Sequence, residues 1–86
     1  MNWEVEIKTM LKKSILDPQG QAVEKGLDSL SYKNVSDVKV GKHMELVIED
    51  VEDKEEVESQ IEEMCERLLA NPVIEDYTFQ VKEMEG

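Results

Sequence analysis

The stretch that most constrains the fold of this chain is residues 35–50, VSDVKVGKHMELVIED. Five of its apolar residues fall at even positions: Val38, Val40, Met44, Leu46 and Ile48. A strand alternates its side chains with a period of two, so these five would share one face. We therefore predict one long strand that bends at Gly41. A three-residue loop over Gly41, Lys42 and His43 would also keep the pattern in phase.

A strand of about fourteen residues reaches on the order of 45 Å, which is longer than so small a domain needs. Its surplus length must pair with something, and another copy of the chain is the simplest partner. Small domains also bury a smaller share of their surface, and association is a common remedy. We therefore expect a homo-oligomer.

Two further strands flank this stretch in the sequence. Trp3, Val5, Ile7, Thr9 and Leu11 alternate with polar or exposed positions and predict a first strand over residues 3–11. Alternation over residues 75–81 predicts the last strand, followed by a loose end over residues 82–86.

The first helix is predicted to start at Asp17-Pro18, where Asp is a good N-cap and Pro suits the first helical position. Its apolar positions follow at helical spacing and should pack on the sheet: Ala22, Val23, Gly26, Leu27 and Leu30. Gly26 would let the helix lie close to the sheet. Gly20, in the first turn, would allow another backbone to approach.

The second helix is predicted to start near Asp53, which has capping-box spacing to Glu56. Asn71-Pro72 should end it, because Asn tolerates the left-handed conformation and Pro cannot continue a helix. Its apolar stripe consists of Val57, Ile61, Met64, Cys65 and Leu68.

The order strand, helix, long strand, helix, strand predicts the fold class. We expect a single α+β domain over residues 1–86, a ferredoxin-like antiparallel sheet with two helices on one face and a long bent central strand.

The charge balance excludes several classes of partner. The chain carries 21 acidic and 10 basic residues, a net charge of −11. Binding to nucleic acid or to an anionic membrane needs clustered Lys and Arg, so neither is expected. No run approaches the roughly 20 apolar residues of a membrane helix, and the N-terminus lacks the apolar core of a signal peptide. The single cysteine cannot form an internal disulfide, and we expect a cytoplasmic location.

The sequence offers few residues for catalysis. Cys65 lies on an apolar stripe among glutamates, which predicts a small buried hydrophobe rather than a nucleophile. His43, the one histidine, is predicted to face solvent or an interface. The glutamates of the second helix match no metal cage. We predict no catalytic, cofactor or metal site, and interpret the chain as a binding or assembly module.

Three stretches resemble the PurS family, small subunits of phosphoribosylformylglycinamidine synthase. They are LDPQG followed by Ala22-Val23, then VKVGK with Glu45-Leu46, and then CERLLANPVIEDY over residues 65–77. The order and spacing agree over nearly the whole chain. The acidic second helix, and Tyr32 in place of a glycine-containing turn, depart from the pattern.

The resemblance implies a role that the residues alone do not. PurS proteins are non-catalytic and assemble with a glutaminase subunit (PurQ), which releases ammonia, and an ATP-dependent synthetase subunit (PurL). Together they form a glutamine-dependent amidoligase complex of purine biosynthesis. The resemblance implies a homodimer or tetramer that bridges PurQ and PurL and supports ammonia transfer. It also implies that ATP, Mg²⁺ and glutamine are used by the complex and that no cofactor is bound by this chain.

We predict that three groups of residues form interfaces, although helix capping, a bend and a helix stop would also explain them. They are Asp17, Pro18, Gln19 and Gly20; then Gly41, Lys42 and His43; and then Asn71, Pro72, Glu75, Asp76 and Tyr77. The alternative function is an ACT-like small-molecule sensor. The absence of glycine between Leu11 and Pro18 disfavours it, since such a site needs a glycine-rich loop there.

Overall fold

The computed structural model describes residues 1–84 and contains one antiparallel sheet and two helices. The elements in chain order are β1 (Trp3–Leu11), α1 (Pro18–Ser29), β2 (Gly41–Ile48), α2 (Lys54–Met64), a π-helical segment (Cys65–Leu69) and β3 (Glu75–Glu83). This confirms the predicted α+β class. No helix in this part of the chain is long and apolar enough to cross a membrane.

The sheet has the order β2-β1-β3, with β1 antiparallel to both neighbours. Ile7 pairs with Met44 on one side and with Phe79 on the other. The even-numbered apolar residues of β2 therefore lie on the same face as the odd-numbered residues of β1, as their period of two predicts. Both β2 and β3 are edge strands within a single chain.

The core lies between this inner face of the sheet and α2. Trp3 is buried, and its indole Nε1–H donates to the Val51 carbonyl at 2.8 Å. Ile61 on α2 and Cys65 at the start of the π-helical segment are fully buried against the sheet, which confirms the predicted burial of Cys65. The buried apolar residues are Trp3, Val5, Ile7, Ile48, Val51, Val57, Ile61, Cys65 and Ala70.

The predicted long strand is shorter within one chain. β2 begins at Gly41, and residues 35–40 have no sheet partner. Gly41 pairs with Met10, and β1 ends one residue later at Leu11, so β1 is too short to pair with residues 35–39. Asp37 also has a φ of 57°, which interrupts an extended backbone.

The predicted packing of α1 on the sheet is wrong for a single chain. Val23 is 45% and Leu30 is 69% exposed, and a side chain at Gly26 would meet nothing within 4 Å. α1 makes few contacts with the sheet, and within residues 1–84 the sheet is covered by α2 and the π-helical segment. The chain measures 51 × 29 × 15 Å with a radius of gyration of 16.8 Å, against about 12 Å for a compact chain of this length.

Two element ends differ from the predictions. α2 passes after Met64 into the π-helical segment, which ends at Leu69 without a left-handed residue at Asn71. Its start is as predicted, since Asp53 caps it by accepting from the Glu55 N–H. β3 continues to Glu83, because Lys82 and Glu83 pair with Glu4 and Trp3. Residues 85 and 86 of the predicted loose end lie outside the described residues.

Candidate interaction site

The start of α1 is tied to the chain segment before β2 through Asp17. Its side chain is buried, with Oδ1 accepting from the Gly20 N–H and Oδ2 from the Val40 N–H, each at 2.9 Å. These two hydrogen bonds, that of Val40 first, lower the pKa of Asp17, because they favour its charged form. Asp17 is thus an N-cap that also fixes a second segment.

Gly20 is required by the same junction. A Cβ at this position would clash with the Val38 carbonyl oxygen and with the Asp17 carboxylate. The prediction that Gly20 allows another backbone to approach is confirmed. The approaching backbone is that of residues 38–40, the part of the predicted long strand that precedes β2.

Gly41 packs closely against the end of β1. A Cβ at Gly41 would meet the Thr9 carbonyl oxygen and the Met10 sulfur. Glycine therefore lets the chain enter β2 directly against β1. Lys42 follows and faces the inner side of the sheet with Thr9, while His43 lies on the opposite, outer face with Lys8.

The third predicted group surrounds Glu75 at the start of β3. Glu75 Oε1 accepts from the Asn71 N–H at 2.7 Å, and Oε2 lies 3.8 Å from Lys42 Nζ. Asp76 turns to the outer face and pairs with Lys12 at 3.7 Å. Glu75 therefore links the end of the helical segment to the start of β2.

Tyr77 lies on the inner face beside the helical segment. Its hydroxyl donates to Glu66 Oε1 at 3.1 Å. Burial, the hydrogen bond and the charge of Glu66 raise the pKa of Tyr77. Tyr77 thus joins β3 to the helical segment within the chain.

These contacts form a groove of about 330 Å³ at the end of the sheet, which we call the sheet-end groove. It is lined by Leu11, Asp17, Pro18, Gln19, Val40, Gly41, Lys42 and Glu75. Members of all three predicted groups therefore meet in one place. Six of the predicted residues do not line this groove within one chain: Gly20, His43, Asn71, Pro72, Asp76 and Tyr77.

Sequence reasoning missed two residues of this lining, Leu11 and Val40. Leu11 is the last residue in the apolar alternation of β1, and Val40 belongs to the apolar alternation that continues into β2. This alternation is the sequence signal that could have identified both residues. The groove combines an apolar floor with the Lys42–Glu75 ion pair. It offers a partner mainly apolar surface, with exposed Gln19 and Lys42 as its polar side chains.

A second surface, which we call the apolar groove, lies between β2 and the end of α2. It encloses about 430 Å³ and is lined by Leu46, Gln60, Glu63, Met64, Arg67, Leu68 and Leu69. The π-helical segment shapes it: the Ala70 N–H donates to the Cys65 carbonyl, five residues earlier. This wider turn carries Leu68 outward to 82% exposure, so its predicted burial on the α2 stripe is wrong.

The uncovered α1, the apolar groove and the sheet-end groove together leave much apolar surface open on a small chain. Such surfaces mark sites of interaction with other proteins. The fold and site thus define a small α+β domain that is completed by association.

Comparison with known proteins then identifies the family. Residues 4–83 match the family PurS, phosphoribosylformylglycinamidine (FGAM) synthase. The chain is 48% identical to the FGAM synthase subunit PurS of Bacillus subtilis over 82 residues, 95% of each chain. It belongs to the PurS family.

Solved structures agree along almost the full length. The chain is similar to Methanocaldococcus jannaschii PurS, described as one of the subunits of formylglycinamide ribonucleotide amidotransferase in the purine biosynthetic pathway. The TM-score is 0.84 at 37% identity, covering 96% of this chain and 99% of that one. It is also similar to a chain in the PurLQS structure from Thermotoga maritima, with a TM-score of 0.85 at 27% identity, covering 95% and 99%.

Proposed function

We propose that this chain is the PurS subunit of phosphoribosylformylglycinamidine synthase in de novo purine biosynthesis, acting in the cytoplasm. Its role is to bridge the glutaminase subunit PurQ and the synthetase subunit PurL and to support ammonia transfer between them. The observation that carries the proposal is the full-length likeness to PurS chains, including a chain of a PurLQS structure.

A second copy of the chain is the partner that the uncovered surfaces favour. α1 exposes Val23, and its C-cap residue Leu30 is also exposed, while the apolar groove exposes Leu68 beside the open edge of β2. Placing α1 of one copy over the groove of the other would bury both surfaces. Full burial of each large aliphatic side chain would stabilise the association of the two copies by about 1.5–3 kcal/mol. Residues 35–40 would then extend β2 toward the second copy.

The sheet-end groove is the proposed contact for a different subunit. Gln19 and Lys42 line it and are exposed, whereas Asp17 and Glu75 are engaged within the chain. Their exposed polar groups can exchange water for a partner's groups, against an ordering cost of about 0.5–1.5 kcal/mol for each side chain. We propose Gln19 and Lys42 as contacts with PurL or PurQ.

The chemistry of the complex is assigned to the other subunits. We propose that ATP, Mg²⁺ and glutamine are used by PurL and PurQ. The polar side chains of the sheet-end groove are instead suited to contact with a partner.

The test is a reconstitution with purified PurQ and PurL from the same organism. Amidine formation is followed with ATP, Mg²⁺ and substrate, using either glutamine or an ammonium salt, with and without this chain. Glutamine-dependent turnover should need the chain, while ammonium-dependent turnover should need it much less. Equal glutamine-dependent turnover in its absence would refute the bridging role.

A further inference from the structure

The outer face of the sheet, away from α2, brings three metal-ligating side chains together. Glu6 of β1 pairs directly with Glu45 of β2, and His43 lies two residues before Glu45 on the same face. One donor atom from each lies within 4.8 Å of the other two. All three side chains are exposed and reachable from solvent.

The pairing of Glu6 with Glu45 is unfavourable in the chain alone. Like charges directly opposite each other on neighbouring strands destabilise a sheet. Among residues 1–84, no Lys or Arg nitrogen lies within 4.0 Å of either carboxylate. The one cation-forming group in contact is His43, whose Nε2 lies 3.4 Å from Glu45 Oε1. A cation between the carboxylates would remove the repulsion.

We propose that Glu6, His43 and Glu45 bind a divalent first-row transition metal on the outer face of the sheet. An imidazole nitrogen with two carboxylate oxygens suits Zn²⁺ and its neighbours better than Mg²⁺ or Ca²⁺. The site is therefore separate from the Mg²⁺ of the synthetase reaction. It departs from the expectation that this chain holds no metal.

The geometry fits with a small change. Zn²⁺ bonds of about 2.1 Å in a tetrahedron place neighbouring ligand atoms roughly 3.4 Å apart. His43 and Glu45 already have that separation. Rotation about the side-chain bonds of the exposed Glu6 would bring its carboxylate to the third ligand position. Three protein ligands leave one position for water or for a donor from another molecule.

The experiment uses the full chain without an affinity tag, stripped of metal. Zn²⁺ is titrated by calorimetry, and Co²⁺ is added separately to read its visible absorption. His43 is the one histidine, so the imidazole NMR signals report it without ambiguity. We expect one ion per chain, a shift of the His43 signals on binding, and a tetrahedral Co²⁺ spectrum.

Variants distinguish this site from diffuse binding to an acidic protein. His43→Ala, Glu45→Gln and Glu6→Gln should each weaken Zn²⁺ binding by at least about tenfold. Glu62→Gln, an exposed carboxylate on α2, is the matched control and should change it by less than about twofold. Unchanged affinity in His43→Ala, or unmoved His43 signals in the wild type at saturating Zn²⁺, would overturn the proposal.

Discussion

The Asp17 carboxylate accepts a hydrogen bond from the Val40 N–H at 2.9 Å, across 23 residues of sequence. The same carboxylate caps α1 through Gly20. One side chain therefore sets where α1 begins and how the segment before β2 passes it. Because that segment belongs to the predicted long strand, this contact orients α1 relative to residues 35–40.

The first prediction concerns Asp17→Asn. The amide lacks one of the two acceptor oxygens, so either the cap or the bond to Val40 is lost. We expect the melting temperature to fall by roughly 5 °C at pH 7. Pro18→Ala at the neighbouring position keeps both bonds and is the control. An unchanged melting temperature in Asp17→Asn would show that water replaces the lost hydrogen bond without a loss of stability.

The second prediction is the pH dependence of that difference. The folded pKa of Asp17 is lowered, so its contribution is fully present above the unfolded pKa of about 3.9. It is lost as the pH falls through the lower folded value. The difference in urea midpoint between wild type and Asp17→Asn should be constant near neutrality and shrink below about pH 4. A difference that widens on acidification would contradict the lowered pKa.

The third prediction compares two glycines of α1. Gly20→Ala should destabilise the chain, because its Cβ would clash with the Val38 carbonyl oxygen. Gly26→Ala has open space and should stabilise the helix by up to about 1 kcal/mol. Thermal unfolding at low protein concentration measures both. If Gly26→Ala instead lowers stability only at high concentration, Gly26 lies at a contact between copies.

The fourth prediction concerns association. Leu30→Ser changes a side chain that is 69% exposed at the C-cap of α1, so it should weaken the homo-oligomer with little loss of the chain's own core. Light scattering with size-exclusion chromatography measures the mass. Val73→Ser, 79% exposed in the turn before β3, is the control and should keep the wild-type mass. Equal masses for all three proteins would exclude α1 from the interface.

The fifth prediction addresses the sheet-end groove. Gln19→Ala and Lys42→Ala should reduce glutamine-dependent activity of the reconstituted complex while the melting temperature stays nearly unchanged. Lys42 is an exposed partner of Glu75 at 3.8 Å, and such pairs contribute less than about 1 kcal/mol. Lys33→Ala removes a comparable exposed pair with Asp28 and should leave activity intact. A large loss of stability in either groove variant would make that residue architectural.

Local patterns in the sequence were sufficient to predict the helices, the strands and the residues on the inner face of the sheet. The period of two placed Trp3, Val5 and Ile7 on one face, and capping chemistry placed Asp17 and Asp53 at helix starts. The resemblance of three stretches together was sufficient to predict the family, which the comparisons confirm. These features depend on neighbours in sequence, so the sequence alone determines them.

The tertiary structure decided what depends on distant contacts. Within the described part of one chain, residues 35–40 join no strand because β1 ends at Leu11, and α1 is exposed because it makes few contacts with the sheet. The register of β1 against β2 brings Glu6 to Glu45 and His43, and the π-helical turn exposes Leu68. Strand length, register and helix pitch are set by the packing of the whole chain, which no local pattern specifies.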